Sequence, residues 1–375
     1  MNLSYWERNT WLHNIDYAIV GSGIVGLSCA LALRQLKPAS KIVVFERGML
    51  PSGASTKNAG FACFGSMSEI LSDLETHTEE EVLQLVQQRL SGLATLRNRI
   101  GDSFLNFQRL GGYEIFTENS TTLYEKCLES IPRINSLLNE VFLDQKPVFS
   151  IKKDPFGLKN VQKDLIFNCY EGQLDPGRMT EGLLQKVAEK GILLLNNAEI
   201  TSFSAENDQI SLVLDNSIEF RAKRLCIATN GFARQLLQED VKPARAQVLV
   251  THPIPDLKIK GTFHLDEGYY YFRNVNDRIL LGGGRNLDFE AEETTENGLT
   301  ERVQQRLEEL LRYTILPDRE VEIEQRWSGI MGVGSKKKPI VKELQPNVFC
   351  GVRLGGMGVA IGTSVGTEMA QLAIK

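Results

Sequence analysis

Residues 16–46 read DYAIVGSGIVGLSCALALRQLKPASKIVVFE, and this stretch decides the fold. Residues 16–20 form a short, mostly apolar run that ends at a glycine, as expected for a buried parallel strand. Residues 24–36 predict a helix that ends before Pro38, because the residue ahead of a proline avoids the helical region. Residues 41–46 predict a second strand. The stretch therefore predicts a βαβ unit of about 30 residues.

The turn between the first strand and the helix reads GSGIVG at residues 21–26. Gly21 permits the tight turn, Gly23 lets the backbone approach a pyrophosphate, and Gly26 lets the helix pack on the strand. The amides of the first helical turn favour an anionic diphosphate. Glu46 ends the second strand, where a carboxylate accepts hydrogen bonds from ribose hydroxyls and repels a 2′-phosphate. The pattern predicts the ADP of NAD or FAD; a glycine-rich turn without a ligand is the alternative.

A segment of small and hydroxylated residues, GASTKNAG at 53–60, follows the second strand. It offers backbone donors with little side-chain bulk, which suits the pyrophosphate and ribityl chain of an extended cofactor. Apolar residues follow at 61–64 and indicate that the segment is buried. The alternative is an exposed flexible loop.

The composition is that of a globular protein. At roughly 100–200 residues per domain, 375 residues predict two domains, or three. The net charge is −5, and the only dense basic run is at residues 336–338, which we interpret as a solvated hairpin turn. These features argue against a nucleic-acid partner. The uncharged run at 17–33 is shorter than the about 20 residues of a membrane span, so no span is predicted.

The cysteines and histidines give no motif for a metal or a nucleophile. The six cysteines are widely spaced, without a CxxC pair or zinc-like spacing, so we predict reduced thiols, a cytoplasmic location and no metal site. His252 and His264 have no acid or nucleophile at motif spacing and are predicted to be non-catalytic.

Further motifs follow along the chain: EGQLDPGRM (171–179), ATNGFA (228–233), ARAQVLVTHP (244–253), GYYYFRNVNDRILLGGG (268–284), WSGIMG (327–332) and VRLGGMGVAIGTSVG (352–366). With the N-terminal motifs, and in this order, they closely resemble the FAD-dependent amino-acid and amine oxidases. That family includes D-amino-acid oxidase, glycine oxidase and sarcosine oxidase. Residues 269–285 look nearest to the gamma-glutamylputrescine oxidase branch.

The resemblance implies an α/β fold of two interleaved domains. A doubly wound, Rossmann-like FAD-binding domain would be assembled from residues 1–75, 145–240 and 325–375. A second, α+β substrate-binding domain would come from residues 76–144 and 241–324, built on a large mixed or antiparallel sheet.

The resemblance also implies the FAD contacts: Gly21, Ser22, Gly23, Ile24, Val25, Gly26, Glu46, Arg47, Ser55, Thr56, Asn58, Ala59, Gly60, Phe61, Ile200, Thr229, Asn230, Gly231, Arg353, Leu354, Gly355, Gly356, Met357, Gly358, Val359 and Ala360. The turn at 354–360 would face the flavin pyrimidine ring, and a helix from about Thr363 would point its N-terminus at O2. Such an N-terminus stabilises the negative charge of a reduced flavin. The segment lacks a cysteine for covalent attachment, so noncovalent FAD is expected.

Three positions depart from the family pattern. Met331 and Gly356 stand where amino-acid-oxidising members carry arginines, which argues against a plain α-amino acid as substrate. Leu280 stands where some oxidases carry a basic residue that assists oxygen activation. The electron acceptor, oxygen or a carrier, is therefore left open.

Six residues are predicted to lie at the catalytic site: Tyr269, Tyr271, Arg273, Trp327, Met331 and Arg353. The two tyrosines share one face of a predicted strand, because side chains alternate along a strand. The two arginines are candidates for charge that the family arginines would supply. For the tyrosines, arginines and tryptophan, the alternative is ordinary packing.

The predicted function is oxidation of the C–N bond of an amine or amino-acid derivative. Hydride would pass to flavin N5, and the resulting imine would hydrolyse. Three alternatives remain: a 2-hydroxy-acid dehydrogenase on the same fold, a relative that modifies tRNA, and a protein that only binds FAD. The charge of −5 argues against the tRNA alternative.

Overall fold

The computed structural model describes residues 3–142, 146–206 and 209–375. The helices in these ranges are α1 (Tyr5–Trp11), α2 (Ile24–Leu36), α3 (Ala54–Lys57), α4 (Met67–Thr76), α5 (Glu79–Ile100), α6 (Asp102–Leu105), α7 (Thr121–Leu138), α8 (Pro176–Glu189), α9 (Glu301–Leu310) and α10 (Gly358–Ala373). The strands are β1 (Ile15–Val20), β2 (Ile42–Phe45), β3 (Phe61–Ala62), β4 (Gly112–Ile115), β5 (Phe149–Lys153), β6 (Asp164–Asn168), β7 (Gly172–Gln173), β8 (Leu193–Leu195), β9 (Ile200–Glu206), β10 (Gln209–Leu214), β11 (Ile218–Ile227), β12 (Lys242–Thr251), β13 (Thr262–Leu265), β14 (Tyr270–Val275), β15 (Arg278–Gly283), β16 (Ile323–Val333), β17 (Ile340–Gln345) and β18 (Val348–Val352).

The first sheet runs in the order β17-β18-β11-β1-β2-β8, with β10 and β9 attached beside β11. Strand β1 lies between β2 and β11 and pairs in parallel with both. Tyr17 and Ile19 pack into one hydrophobic core and Ala18 and Val20 into another. Since both faces are covered, β1 is apolar at nearly every position, as parallel strands usually are. This is the predicted doubly wound α/β unit.

Helix α2 begins directly after the glycine-rich turn and is capped at Lys37, just before Pro38, as predicted. It packs against α10 at the end of the chain, where a Cβ on Gly366 would stand 2.4 Å from the main-chain oxygen of Val25. The two backbones therefore approach too closely for a side chain at position 366. Helix α10 begins at Gly358, five residues before the predicted start near Thr363.

The second sheet runs in the order β16-β12-β15-β14-β13-β4-β6-β5. All of its pairs are antiparallel except β13 with β4, so the sheet is mixed, as predicted. Both edges of this sheet come from residues that the predicted division places in the FAD-binding part. Strands β5 and β6 extend one edge, although residues 145–240 were assigned to the FAD-binding part. Strand β16 pairs along the whole of β12, although 325–375 were assigned there too. The division into two domains stays a prediction.

The uncharged run at 17–33 spans β1, the turn and part of α2. In the ranges that the structure describes, no helix has the length and apolar character needed to cross a membrane. All six cysteines are thiols and not half-cystines; five of them are buried, whereas Cys169 is half-buried.

Candidate active site

One continuous cavity is lined by residues from both sheets. The lining includes the glycine-rich turn after β1 and the residues that follow β2. It also includes residues of β14, β16 and the turn that precedes α10. The predicted cofactor and substrate regions therefore open into the same space.

The glycines of the turn have different surroundings. Gly21 has a φ of +102°, and a Cβ there would stand 2.8 Å from the oxygen of Ala228. Gly23 lines the cavity, and a Cβ there would stand 3.0 Å from Ser55 Oγ. Gly26 does not line the cavity; its missing side chain lets α2 approach Gly21, whose oxygen would lie 1.9 Å from a Cβ. The turn thus leaves room for a group against the start of α2.

Glu46 is buried at the cavity wall and faces the same turn. Its Oε2 accepts hydrogen bonds from Ser22 Oγ at 2.5 Å and from the Ser22 main-chain amide at 3.1 Å. Its Oε1 accepts one from the amide of Gly48 at 2.9 Å. The carboxylate is therefore held in one orientation against the glycine-rich turn. Beside it, Arg47 packs over the ring of Phe232, with 3.8 Å from the guanidinium carbon to the ring centroid.

The small-residue segment contains the short helix α3 and folds over the first turn of α2. Ser55 Oγ accepts a hydrogen bond from the amide of Ile24 at 2.9 Å. Asn58 ties the segment together, donating to Ser55 O at 2.7 Å and accepting from the amide of Gly60 at 2.8 Å. The predicted contact Thr56 is not among the lining residues. Its hydroxyl donates to Pro51 O at 2.7 Å, within the same loop.

The turn before α10 forms the opposite end of the cofactor region. Residues 354–360 all line the cavity, and Gly355 and Gly356 have positive φ angles of 58° and 86°. Asn230 holds this turn, because its Oδ1 accepts from the amides of Arg353 at 3.1 Å and Leu354 at 3.3 Å. The N-terminus of α10 follows directly, and no side chain of the described residues caps it.

These features fit FAD. The backbone cradle at Gly23 suits a pyrophosphate, and the fixed carboxylate of Glu46 suits a ribose. The buried hydroxyl of Thr229 lines the cavity and has no hydrogen-bond partner among the described residues, so it is available to a ligand. Ile200 lines the cavity at the Glu46 end, where the adenine is expected.

The aromatic wall comes from β14 and the residue before it. Tyr269 and Tyr271 line the cavity, whereas Tyr270 packs into the core on the other face of the sheet. Burial raises the pKa of Tyr271 to about 12, so its phenol stays protonated near neutral pH. Phe61 lies edge-on to Tyr271, at 5.6 Å between ring centroids. Met331 lines the same space from β16.

Arg273, Trp327 and Arg353 lie outside the cavity lining, contrary to the prediction. Arg273 donates to main-chain oxygens, at Leu174 over 3.0 Å and at Ala59. Trp327 Nε1 donates to Lys57 O at 3.0 Å. Arg353 donates to Asp240 Oδ2 at 2.7 Å and to Lys338 O at 2.9 Å. The polar groups of all three hold backbone segments in place.

A buried ion pair that the sequence did not reveal lies at the wall. His264 Nε2 lies 2.5 Å from Glu171 Oε1, which also accepts from Thr262 Oγ1 at 2.9 Å. Burial disfavours the charged imidazole, but the Glu171 carboxylate outweighs it and raises the pKa of His264 to about 9. Glu171 is 93 residues away in the chain, so no local spacing could have indicated it.

Other residues of this region were also missed. The Sγ of Cys63 lies within 4.8 Å of donor atoms of His264 and Glu171, so the three side chains form a cluster of metal-ligating types. Burial raises the pKa of the Cys63 thiol, which disfavours the thiolate that a metal would bind. Lys337, from the basic run at 336–338, lines the cavity and pairs with the buried Asp73 at 2.5 Å. Arg285 lines the cavity directly after the glycines that follow β15. Leu280 is buried against Ala59 and Val248.

Comparisons with known proteins agree with this site. The model of the family described as FAD dependent oxidoreductase matches residues 16–372. The probable oxidoreductase OrdL of Rhizobium meliloti is 24% identical over 381 residues, covering 96% of this chain and 83% of that protein. Mitochondrial dimethylglycine dehydrogenase of Homo sapiens is 27% identical over 292 residues, covering 72% of this chain and 31% of that protein.

A solved structure gives the same fold. The crystal structure of glycine oxidase from Geobacillus kaustophilus has a TM-score of 0.75 at 19% identity, covering 96% of this chain and 94% of that one. The family match over nearly the whole chain leads to one conclusion: the chain belongs to the FAD dependent oxidoreductase family and is an FAD-dependent enzyme.

Proposed function

We propose that the enzyme oxidises the C–N bond of an amine or amino-acid derivative. The observation that carries the proposal is the shared cavity: Tyr269, Tyr271 and Met331 line the same space as the flavin-side turn at Gly355 and Gly356. Glycine oxidase and dimethylglycine dehydrogenase, to which the chain is similar, are named for amine substrates. A substrate in this space would lie between the aromatic wall and the cofactor.

FAD, when bound, supplies an acceptor for the hydride that leaves the carbon next to the nitrogen. The substrate amine must then be neutral, so that its lone pair can form the C=N bond of the imine. Water adds to this imine and releases a carbonyl compound and the amine or ammonia. The atoms balance without any covalent bond to the protein.

The protein's part is orientation and charge. Tyr271 keeps its proton near neutral pH and offers a hydroxyl to the substrate, not a base. His264 stays charged and paired with Glu171, so it is not a free base either. The uncapped N-terminus of α10, at Gly358, would stabilise negative charge on a flavin bound beside it. Holding the substrate in one orientation supplies the remaining rate acceleration.

The experiment is an anaerobic substrate panel with the purified, FAD-loaded enzyme. Primary amines, N-methylated amines, amino acids and matched 2-hydroxy acids are each mixed with the enzyme, and flavin absorbance is followed. We expect at least one amine to bleach the flavin with saturable kinetics. Bleaching by hydroxy acids alone contradicts the proposal. An enzyme whose bound flavin none of these compounds reduces contradicts it as well.

A further inference from the structure

Arg285 lies in the turn Arg285–Leu287 that follows β15, and it lines the cavity. Its guanidinium carbon is 5.1 Å from the ring centroid of Tyr269 and 5.1 Å from that of Phe289. The two rings also meet each other edge to face, at 5.8 Å. Arg285 therefore sits in an aromatic corner that opens into the cavity.

The guanidinium of Arg285 makes neither an ion pair nor a hydrogen bond with any residue that the structure describes. Among the described residues, its side chain packs on the two aromatic rings alone. Ring faces attract the cation but accept none of the five N–H donors of a guanidinium in the way that a carboxylate does. Arg285 is half-buried, and this burial lowers the pKa of its guanidinium. A half-buried cation with unused donors is expected to bind an anion.

Two other cations that line the cavity have ion-pair partners, whereas Arg47, beside Glu46, packs on the ring of Phe232. His264 is paired with Glu171, and Lys337 with Asp73. Two further arginines lie outside the lining. Arg273 donates hydrogen bonds to main-chain oxygens, and Arg353 donates to Asp240 and to a main-chain oxygen. Arg285 differs from these four residues, because no hydrogen-bond acceptor among the described residues pairs with its guanidinium.

The places where family members carry arginines are apolar in this chain. Met331 and Gly356 lie side by side, with the Met331 sulfur 3.7 Å from the point where a Cβ on Gly356 would stand. Neither can bind a carboxylate. Arg285 enters from a different element, the turn after β15, so it approaches the substrate from another direction.

From these contacts we propose that Arg285 binds a carboxylate of the substrate, and that the substrate is an amine that carries this negative charge. This inference rests on the proposed amine oxidation. A guanidinium binds a carboxylate through two parallel N–H···O bonds, and the ring faces of Tyr269 and Phe289 hold its plane without competing for those donors. Phe289 is half exposed, at 51%, so the carboxylate end of the substrate lies toward the solvent side of the cavity.

The test uses the FAD-loaded enzyme and matched pairs of small ligands: acetate with acetamide, and butyrate with butyramide. Binding is measured from the change in flavin absorbance, for the unmodified enzyme, Arg285→Gln and Arg285→Lys. We expect carboxylates to bind the unmodified enzyme at least tenfold more tightly than the amides. Arg285→Gln should remove this preference, and Arg285→Lys should keep part of it. Arg278→Gln, at the start of β15, is the matched control, because Arg278 is partly exposed and paired with Glu324, and it should change nothing.

Steady-state kinetics give a second readout. For an amine with a carboxylate, Arg285→Gln should raise KM at least tenfold and change kcat much less, whereas the matched uncharged amine should be unaffected. Equal binding of carboxylates and amides to the unmodified enzyme overturns the inference, even if the variants fail to fold. An Arg285→Gln enzyme that retains FAD and the carboxylate preference also overturns it.

The two proposals fail in different ways. If uncharged amines reduce the flavin as well as carboxylated ones, the inference about Arg285 is wrong and amine oxidation stands. If carboxylates bind through Arg285 but no amine reduces the flavin, the proposed function is wrong and the anion site stands.

Discussion

The carboxylate of Glu46 is hydrogen-bonded to Ser22 through both the main-chain amide and the hydroxyl, at 3.1 and 2.5 Å. This contact joins the end of β2 to the glycine-rich turn after β1, 24 residues earlier in the chain. One carboxylate therefore serves two purposes. It fixes the turn, and it stands where a ribose hydroxyl would find an acceptor.

Substitution Glu46→Gln should weaken FAD binding. The amide is a poorer acceptor and presents an NH₂ group to the Ser22 donors, so we expect a loss of about 1–3 kcal/mol in FAD binding free energy. The dissociation constant is measured by titrating the apoenzyme with FAD and following flavin fluorescence. Glu219→Gln, on the exposed side of β11, is the control. An unchanged dissociation constant for Glu46→Gln shows that the ribose lies elsewhere.

Substitution Gly26→Ala should destabilise the fold. The new Cβ would stand 1.9 Å from the main-chain oxygen of Gly21, so α2 must move off the strand. We expect the free energy of unfolding to fall by about 3 kcal/mol or more, measured with urea, since overpacking against backbone is costly. Gly53→Ala meets nothing within 4 Å and should cost little. Equal stability of the two variants contradicts the packing described for α2.

The His264–Glu171 pair makes stability depend on pH. The pKa of His264 is raised from 6.5 in the unfolded chain to about 9 in the folded protein. The ion pair therefore contributes fully to the free energy of unfolding below pH 6.5, and this contribution is lost as the pH rises through about 9. The unfolding free energy of the unmodified protein should therefore fall relative to His264→Gln between these values, by on the order of 1–3 kcal/mol. Urea unfolding at several pH values measures this difference. A difference that is constant from pH 6.5 to 9 contradicts a charged His264.

Substitution Arg273→Met should affect stability and FAD retention more than substrate binding. It removes the donors that hold the oxygens of Leu174 and Ala59, and Ala59 belongs to the cofactor segment. We expect a loss of about 2–4 kcal/mol in unfolding free energy, because buried oxygens are left without partners. With FAD in excess, KM should change less than twofold. A large rise in KM with unchanged stability would restore Arg273 to the substrate site.

The N-terminal unit could be predicted because its signals are local. The turn at 21–26, the stop at Pro38 and the acid at position 46 all act within 31 residues, and each is where the pattern placed it. The pairing of β16 with β12 could not be predicted in this way, because β12 lies about 80 residues earlier and strand pairing leaves no trace in local spacing.

The site was only partly predictable for the same reason. Strand alternation places Tyr269 and Tyr271 on the same face, so both could be predicted to line the site. The sequence does not distinguish an arginine that binds main-chain oxygens from one that faces a ligand. The sequence therefore predicts Arg273 at the site and does not single out Arg285, although both follow glycine- or tyrosine-rich stretches. Only the contacts separate them: Arg273 binds Leu174 O, and Arg285 faces the cavity.

The central claim is that this enzyme oxidises amines through its bound FAD. The most direct measurement is an anaerobic single turnover, in which the amine that bleaches the flavin fastest is mixed with enzyme and the products are quantified. We expect one carbonyl product and one released amine or ammonia for each flavin reduced. We also expect slower flavin reduction when the carbon next to the nitrogen carries deuterium. Flavin reduction without a carbonyl product, or with no effect of the deuterium, contradicts it.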